Sequence, residues 1–116
     1  MPNTTPAIDT PERIKQSILE SKRVGLCRVL PTGCATVDRH GESLAPLQAM
    51  ADAGAIGFTD DGDVIEEDAM MAVVLVAAKA ADRFFMQHCQ DPKTTIGGVM
   101  HAGAIQEELR YGAWPR

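Results

Sequence analysis

Ala55-Ile56-Gly57-Phe58-Thr59-Asp60-Asp61-Gly62 is a short apolar run that breaks off in two adjacent carboxylates and a glycine. Small and aromatic apolar residues punctuated by Gly suit a buried strand, and Asp-Asp-Gly suits a turn leaving its C-terminal end. A second run of this kind, Arg83-Phe84-Phe85-Met86-Gln87, ends in His88-Cys89, with His88 27 residues after Asp61. One helix-length segment, Glu66 to Asp82, separates the two runs. Two strands joined by one helix are parallel neighbours, so both polar tips are expected at the same end of one sheet, where α/β proteins build active sites.

The rest of the chain extends the pattern. Pro, Thr and Asn dominate residues 1 to 10, which read as a loop ending in an N-cap at Asp9 or Thr10, with Pro11 at the first helical position. A helix is expected from Pro11 to about Arg23, with Ile14, Ile18 and Leu19 at helical spacing and Gly25 as its stop. Leu26-Cys27-Arg28-Val29-Leu30 reads as a strand closed by Pro31, and Thr32 to Glu42 as a polar loop. Ser43 is placed to cap a helix carrying Leu44, Leu47, Met50 and Ala51 on one face, with Gly54 ending it. Strand starts near Leu26, Ala55 and Arg83 are 29 and 28 residues apart, the period of a repeating βα unit. Residues 89 to 103 read as a long loop, Ala104 to Arg110 as a short helix, and Gly112 to Arg116 as having no terminating element. Parallel βα units in series belong to a doubly wound sheet or to a (β/α)8 barrel.

Composition narrows the function. One domain's worth of chain, 116 residues with 45% hydrophobic content, is enough for a core. The net charge of −5 comes without any Lys/Arg cluster to neutralise phosphates, which argues against nucleic acid and for a small-molecule partner. Cys27, Cys34 and Cys89 are odd in number and lack CxxC spacing, as expected of reduced thiols in a cytoplasmic protein. The N-terminus lacks the basic and apolar regions of a signal peptide, and the uncharged run Ala69 to Ala78 is half a membrane span.

Each candidate site residue also has a plainer reading. Asp60 and Asp61 belong to an acidic run with Asp63, Glu66, Glu67 and Asp68, which by itself is a solvated turn preceding a helix. His88 by itself is equally a satisfied residue at the end of a buried strand. Together, a carboxylate and an imidazole at the tips of neighbouring parallel strands have the makings of a metal site or an acid/base pair. His40 and His101 fall in expected loops and are read as surface residues; Cys89 has no base placed beside it by the sequence.

Five segments, Met1-Pro2-Asn3-Thr4, Val29-Leu30-Pro31, Phe58-Thr59-Asp60-Asp61-Gly62, His88-Cys89 and Gly97-Gly98-Val99-Met100-His101, follow one another in a known order and spacing. In these the chain resembles, over essentially its whole length, the dihydroorotases of the long bacterial type within the metal-dependent amidohydrolase superfamily. The resemblance implies a partial (β/α)8 barrel of three to four consecutive βα units with parallel strands. It also implies a zinc enzyme of pyrimidine synthesis that interconverts N-carbamoyl-L-aspartate and dihydroorotate. Residue by residue, Asp61 resembles the family's zinc-binding aspartate, His88 a histidine ligand, and Asn3 the asparagine that hydrogen-bonds the substrate carboxylate. The metal's role there is to lower the pKa of water so that it attacks a ring amide.

Departures from the family pattern carry their own expectations. The family's His-x-His-x-Arg segment, a later histidine ligand and the aspartate that serves as general base have no counterpart in residues 1–116. Gln90, Ala102 and Thr5 stand where the family often has Glu, Glu and Asn. The resemblance therefore implies an internal fragment of the catalytic barrel domain, inactive as it stands, whose retained site residues are Asp61, His88 and Asn3. Two alternatives stay open. One is a non-catalytic relative that serves as a structural partner of aspartate transcarbamoylase. The other is a related cyclic amidohydrolase such as allantoinase or dihydropyrimidinase, families that typically use a carboxylated lysine where this chain has Asp61.

Overall fold

A computed structural model describes residues 1–114. Helix α1 spans Pro11–Val24, opened by Thr10, whose hydroxyl accepts from Arg13 N, and closed by Gly25 at φ +72° with its N–H on Ser21 O. Both ends lie where N-cap, Pro and Gly chemistry puts them. Strand β1 is Thr32–Gly33, followed by a tight turn over Val37–Arg39 in which Asp38 takes φ 51° and His40 N donates to Val37 O. Helix α2 is Leu47–Asp52, β2 Gly57–Thr59, α3 Asp68–Ala80 and β3 Phe84–Met86. The remainder is α4 Pro92–Thr95, β4 Met100–His101, α5 Ala104–Leu109 and β5 Ala113–Trp114.

The principal sheet has the order β1-β2-β3, parallel throughout. Its register pairs Gly33 with Phe58 and Phe58 with Phe85, so these three share one face. That face meets Ile14 of α1, Leu47, Met50 and Ala51 of α2, and Val74 and Ala78 of α3 in a single hydrophobic cluster around Phe58. Thr32, Gly57 and Phe84 form the next row, on the opposite face, where Phe84 and Met86 stay exposed. Strand order is sequential and α1, α2 and α3 pack on one side, an arrangement shared by a run of (β/α)8 units and by one half of a doubly wound sheet. The radius of gyration is 17.2 Å, against about 13 Å for a compact chain of this length. The face opposite the helices is covered over Thr32 and Thr59 and open at Phe84 and Met86.

Several expected boundaries are corrected. Leu26 to Leu30 is not a strand; Leu26 is 87% exposed, and the ladder begins at Pro31, whose carbonyl accepts from Ile56 N at 3.0 Å. Proline lacks only the donor, so it opens a strand as readily as it closes one. Ser43 caps no helix: Thr36 and Leu44 form an antiparallel bridge, Val37 N donates to Ser43 O, and α2 starts only after Pro46. A residue preceding proline is disfavoured in the helical region, which delays the start. The expected loop 89–103 contains α4, capped by the Asp91 carboxylate, and β4. Of the terminal stretch, Ala113–Trp114 pairs in parallel with β4, while residues 115–116 lie outside the described residues.

Candidate functional site

The tips of β2 and β3 emerge at one end of the sheet, and the two carboxylates after β2 have different fates. Asp60 is 1% exposed. Its Oδ1 accepts from Ala35 N at 2.8 Å and Thr36 N at 3.1 Å, and its Oδ2 from the Thr36 hydroxyl at 2.6 Å. Thr36 Oγ1 in turn accepts from Gly41 N. Asp60 is thus a buried staple between the β1 loop and the β2 tip, with both of its oxygens engaged by protein donors.

Asp61 is half-buried and lines a cleft at this end of the sheet. Its N–H donates to Thr59 Oγ1 at 3.1 Å, and its Oδ2 accepts from Asn3 Nδ2 at 3.3 Å. Asn3 arrives there because the N-terminal segment runs beside β1, where Cys34 N donates to Ile8 O at 2.7 Å. Two of the three expected site residues, Asn3 and Asp61, are therefore in direct contact.

His88 follows β3 on the exposed rim. With Asp61 it lines a cleft of about 670 Å³ that also takes in Cys89, His101 and Trp114. His101, expected in a surface loop, stands on β4 with its ring edge-on to Trp114 at 5.6 Å. The Gly97-Gly98 doublet just before it was the available signal of a close backbone approach, since a Cβ on Gly98 would fall within 2.7 Å of the Trp114 indole nitrogen. His40 is exposed and lines a neighbouring cleft of about 730 Å³ with Arg39, Glu42, Asp63 and His88. Arg39 carries no local sequence signal; its Nη1 donates to Asp61 O at 3.0 Å and pairs with Asp63 Oδ2 at 2.9 Å.

Carboxylate and imidazole are both zinc ligands, and the donor chemistry of Asp61 and His88 fits that metal. Their number supplies half of a four-donor shell: among the described residues, no three His, Cys, Asp or Glu side chains cluster closely enough to hold an ion. Cys34 is buried and its thiol is pushed up to about 12 by burial first, with Asp60 and Asp9 adding to the rise. It is therefore a neutral core residue. No helix among the described residues is long and apolar enough to cross a membrane.

A family model described as dihydro-orotase-like matches residues 1–116. The dihydroorotase of Aquifex aeolicus (strain VF5) is 39% identical over 109 residues, covering 94% of this chain and 26% of the relative. That of Leifsonia xyli subsp. xyli (strain CTCB07) is 38% identical over 117 residues, covering 99% and 27%. That of Bacillus caldolyticus is 36% identical over 112 residues, covering 97% and 26%. The chain thus spans about a quarter of the length of the curated relatives it matches.

Proposed function

This chain belongs to the dihydro-orotase-like family, and on that premise we propose that it carries part of the active site of a dihydroorotase. The reaction is the reversible closure of N-carbamoyl-L-aspartate to dihydroorotate in pyrimidine synthesis. We read β1 to α3 and β3 as consecutive units of a (β/α)8 barrel, supported by the sequential parallel order and the helices on one side. Three free thiols favour the cytoplasm.

The observation that carries the reading is the separation of the Asp60-Asp61 pair. Asp60 is buried and held by three hydrogen bonds, which leaves Asp61 as the carboxylate of the pair that lines a cleft with His88. Zinc, when bound there, supplies Lewis acidity that makes a nucleophile available at neutral pH and polarises a ring carbonyl. Asp61 and His88 would hold it from adjacent strands. Asn3, whose amide lies 3.3 Å from Asp61 Oδ2, would turn its donor toward a substrate carboxylate.

Grafting residues 1–116 in place of the matching segment of the Aquifex aeolicus relative tests this. The chimera is expected to turn over dihydroorotate in a metal-dependent manner and to lose turnover on Asp61→Ala or His88→Ala. A folded, zinc-free and inactive chimera would instead favour a non-catalytic partner of aspartate transcarbamoylase.

A further inference from the structure

We propose that Arg39 is a positioning residue for Asp61: it clamps the Asp61-Gly62-Asp63 turn through the backbone and so fixes where the Asp61 carboxylate points. The inference rests on reading Asp61 as a metal ligand.

Three observations converge on the clamp. One guanidinium nitrogen, Nη1, bonds both ends of the turn, the Asp61 carbonyl at 3.0 Å and the Asp63 carboxylate at 2.9 Å. Between them Gly62 sits at φ +92°, and a Cβ there would be 3.2 Å from the same Nη1, so the guanidinium lies against the turn itself. The contact is half-buried, with the Arg39 side chain 24% exposed and its buried Nε without a partner among the described residues.

The backbone that delivers it is strained. Asp38 at φ 51° and Arg39 at φ 65° are consecutive non-glycine residues in the left-handed region. Such a pair persists only when its surroundings over-determine it. Here Asp38 N donates to the buried Asp9 Oδ2 at 3.0 Å, and Arg39 N to Thr36 O at 3.2 Å. Asp9 is locked in turn by Arg13, and Thr36 by Asp60. The strained turn thereby aims Arg39 from the β1 loop across to the β2 tip. Asn3 Nδ2 lies 3.9 Å from the same Gly62 Cβ position, so both side chains approach the turn at Gly62.

Amide hydrogen exchange and zinc titration of the purified chain, the latter followed at the His88 imidazole by NMR, test the clamp. Asp63 N donates to Asp60 O at 2.8 Å and reports on the turn; Ala35 N and Thr36 N, held by Asp60, report on the surrounding fold. In Arg39→Ala the Asp63 amide is expected to exchange at least about tenfold faster with Ala35 and Thr36 unchanged. Zinc affinity should fall roughly tenfold or more. Arg39→Lys, which keeps the charge and several donors, should recover part of both. The clamp is overturned if Asp63 is already unprotected in the wild type, if Arg39→Ala leaves it unchanged, or if Ala35 and Thr36 loosen equally. It is also overturned if exchange rises while a zinc affinity that needs Asp61 stays the same. Zinc binding that is absent, or indifferent to Asp61→Ala, instead sinks the metal assignment, and the exchange result still decides whether Arg39 holds the turn.

Discussion

The ring of Phe84 lies across Gly57, its register partner on β2, on the sheet face opposite the helices. A side chain at position 57 would occupy the ring's place: a Cβ there would stand 2.6 Å from Phe84 Cζ. Glycine in mid-strand ordinarily weakens a sheet, and an aromatic neighbour that covers it recovers some of the loss. Gly57→Ala should therefore push the half-exposed Phe84 ring aside and destabilise the chain by about 1 kcal/mol, the low end of an overpacking cost. Phe84→Leu on the Gly57→Ala background should recover part of that, measured as a non-additive double-mutant cycle in urea unfolding.

Asp60 and Asp61 should respond oppositely to the same change. Asp60→Ala leaves the buried Ala35 and Thr36 N–H groups and the Thr36 hydroxyl without their acceptor, a cost of about 3 kcal/mol or more. Asp61→Ala removes one 3.3 Å contact with an exposed Asn3 and should shift stability by less than about 0.5 kcal/mol. Chemical unfolding of the two variants side by side decides the matter, and equal losses would contradict the division of labour.

The thiols should divide two to one. Cys27 and Cys89 are exposed and Cys34 is buried, so a thiol reagent should titrate two groups in the native chain and three after denaturation. Burial holds the Cys34 thiol protonated up to about 12, whereas the unfolded chain ionises it near the ordinary 9.0. Its contribution to stability is complete below pH 9 and is lost as pH rises from there toward 12, by up to about 1.4 kcal/mol per pH unit. Subtracting the stability curve of Cys34→Ala from that of the wild type should isolate this slope.

Zinc alone should bind the 116-residue chain weakly and be stripped by EDTA, because Asp61 and His88 supply half of the usual shell. Turnover of dihydroorotate by the chain by itself is expected to be nil. Stoichiometric zinc surviving dialysis against chelator would reveal ligands beyond these two.

Self-association is the expected behaviour in solution. Leu26 and Ile96 are each 87% exposed, Val76 on α3 is 70% exposed, and Phe84 and Met86 are exposed on the sheet face opposite the helices. Exposed apolar surface on that scale, next to a free strand edge, invites association. Sedimentation should show concentration-dependent oligomers, and a hydrophobic dye should bind; a strictly monomeric chain without dye binding would contradict this.

Legibility in the sequence followed the physics of each element. α1 was readable because Thr10, Pro11 and Gly25 act locally, each through its own backbone geometry. β2, α3 and β3 were readable within two residues because apolar content and period agree there. β1 was misplaced because Leu26 to Leu30 has the composition of a strand, yet what makes a strand is the partner that Pro31 and Thr32 find in Ile56 and Gly57. At the site, the two strand tips were legible, whereas the split between Asp60 and Asp61 depends on hydrogen bonds to Ala35 and Thr36, 25 and 24 residues away. Arg39 was hidden for the same reason: its partners Asp61 and Asp63 lie across a loop that no periodicity links to it.

The Asp60 staple also bears on how the chain folds. Its donors belong to the preceding βα unit, so Ala35 and Thr36 have no acceptor until the next unit is complete and docked. A nascent chain emerging N-terminus first would hold the β1 loop open, hydrated and exchangeable, until residue 60 arrived. Fraying one unit in the finished protein would likewise strand the polar groups of its neighbour in a dry interior, which couples the two openings into one event. Cooperativity between successive units of this sheet is thus written partly in a single carboxylate, and Ala35 N and Thr36 N, its two backbone donors, should open with one rate.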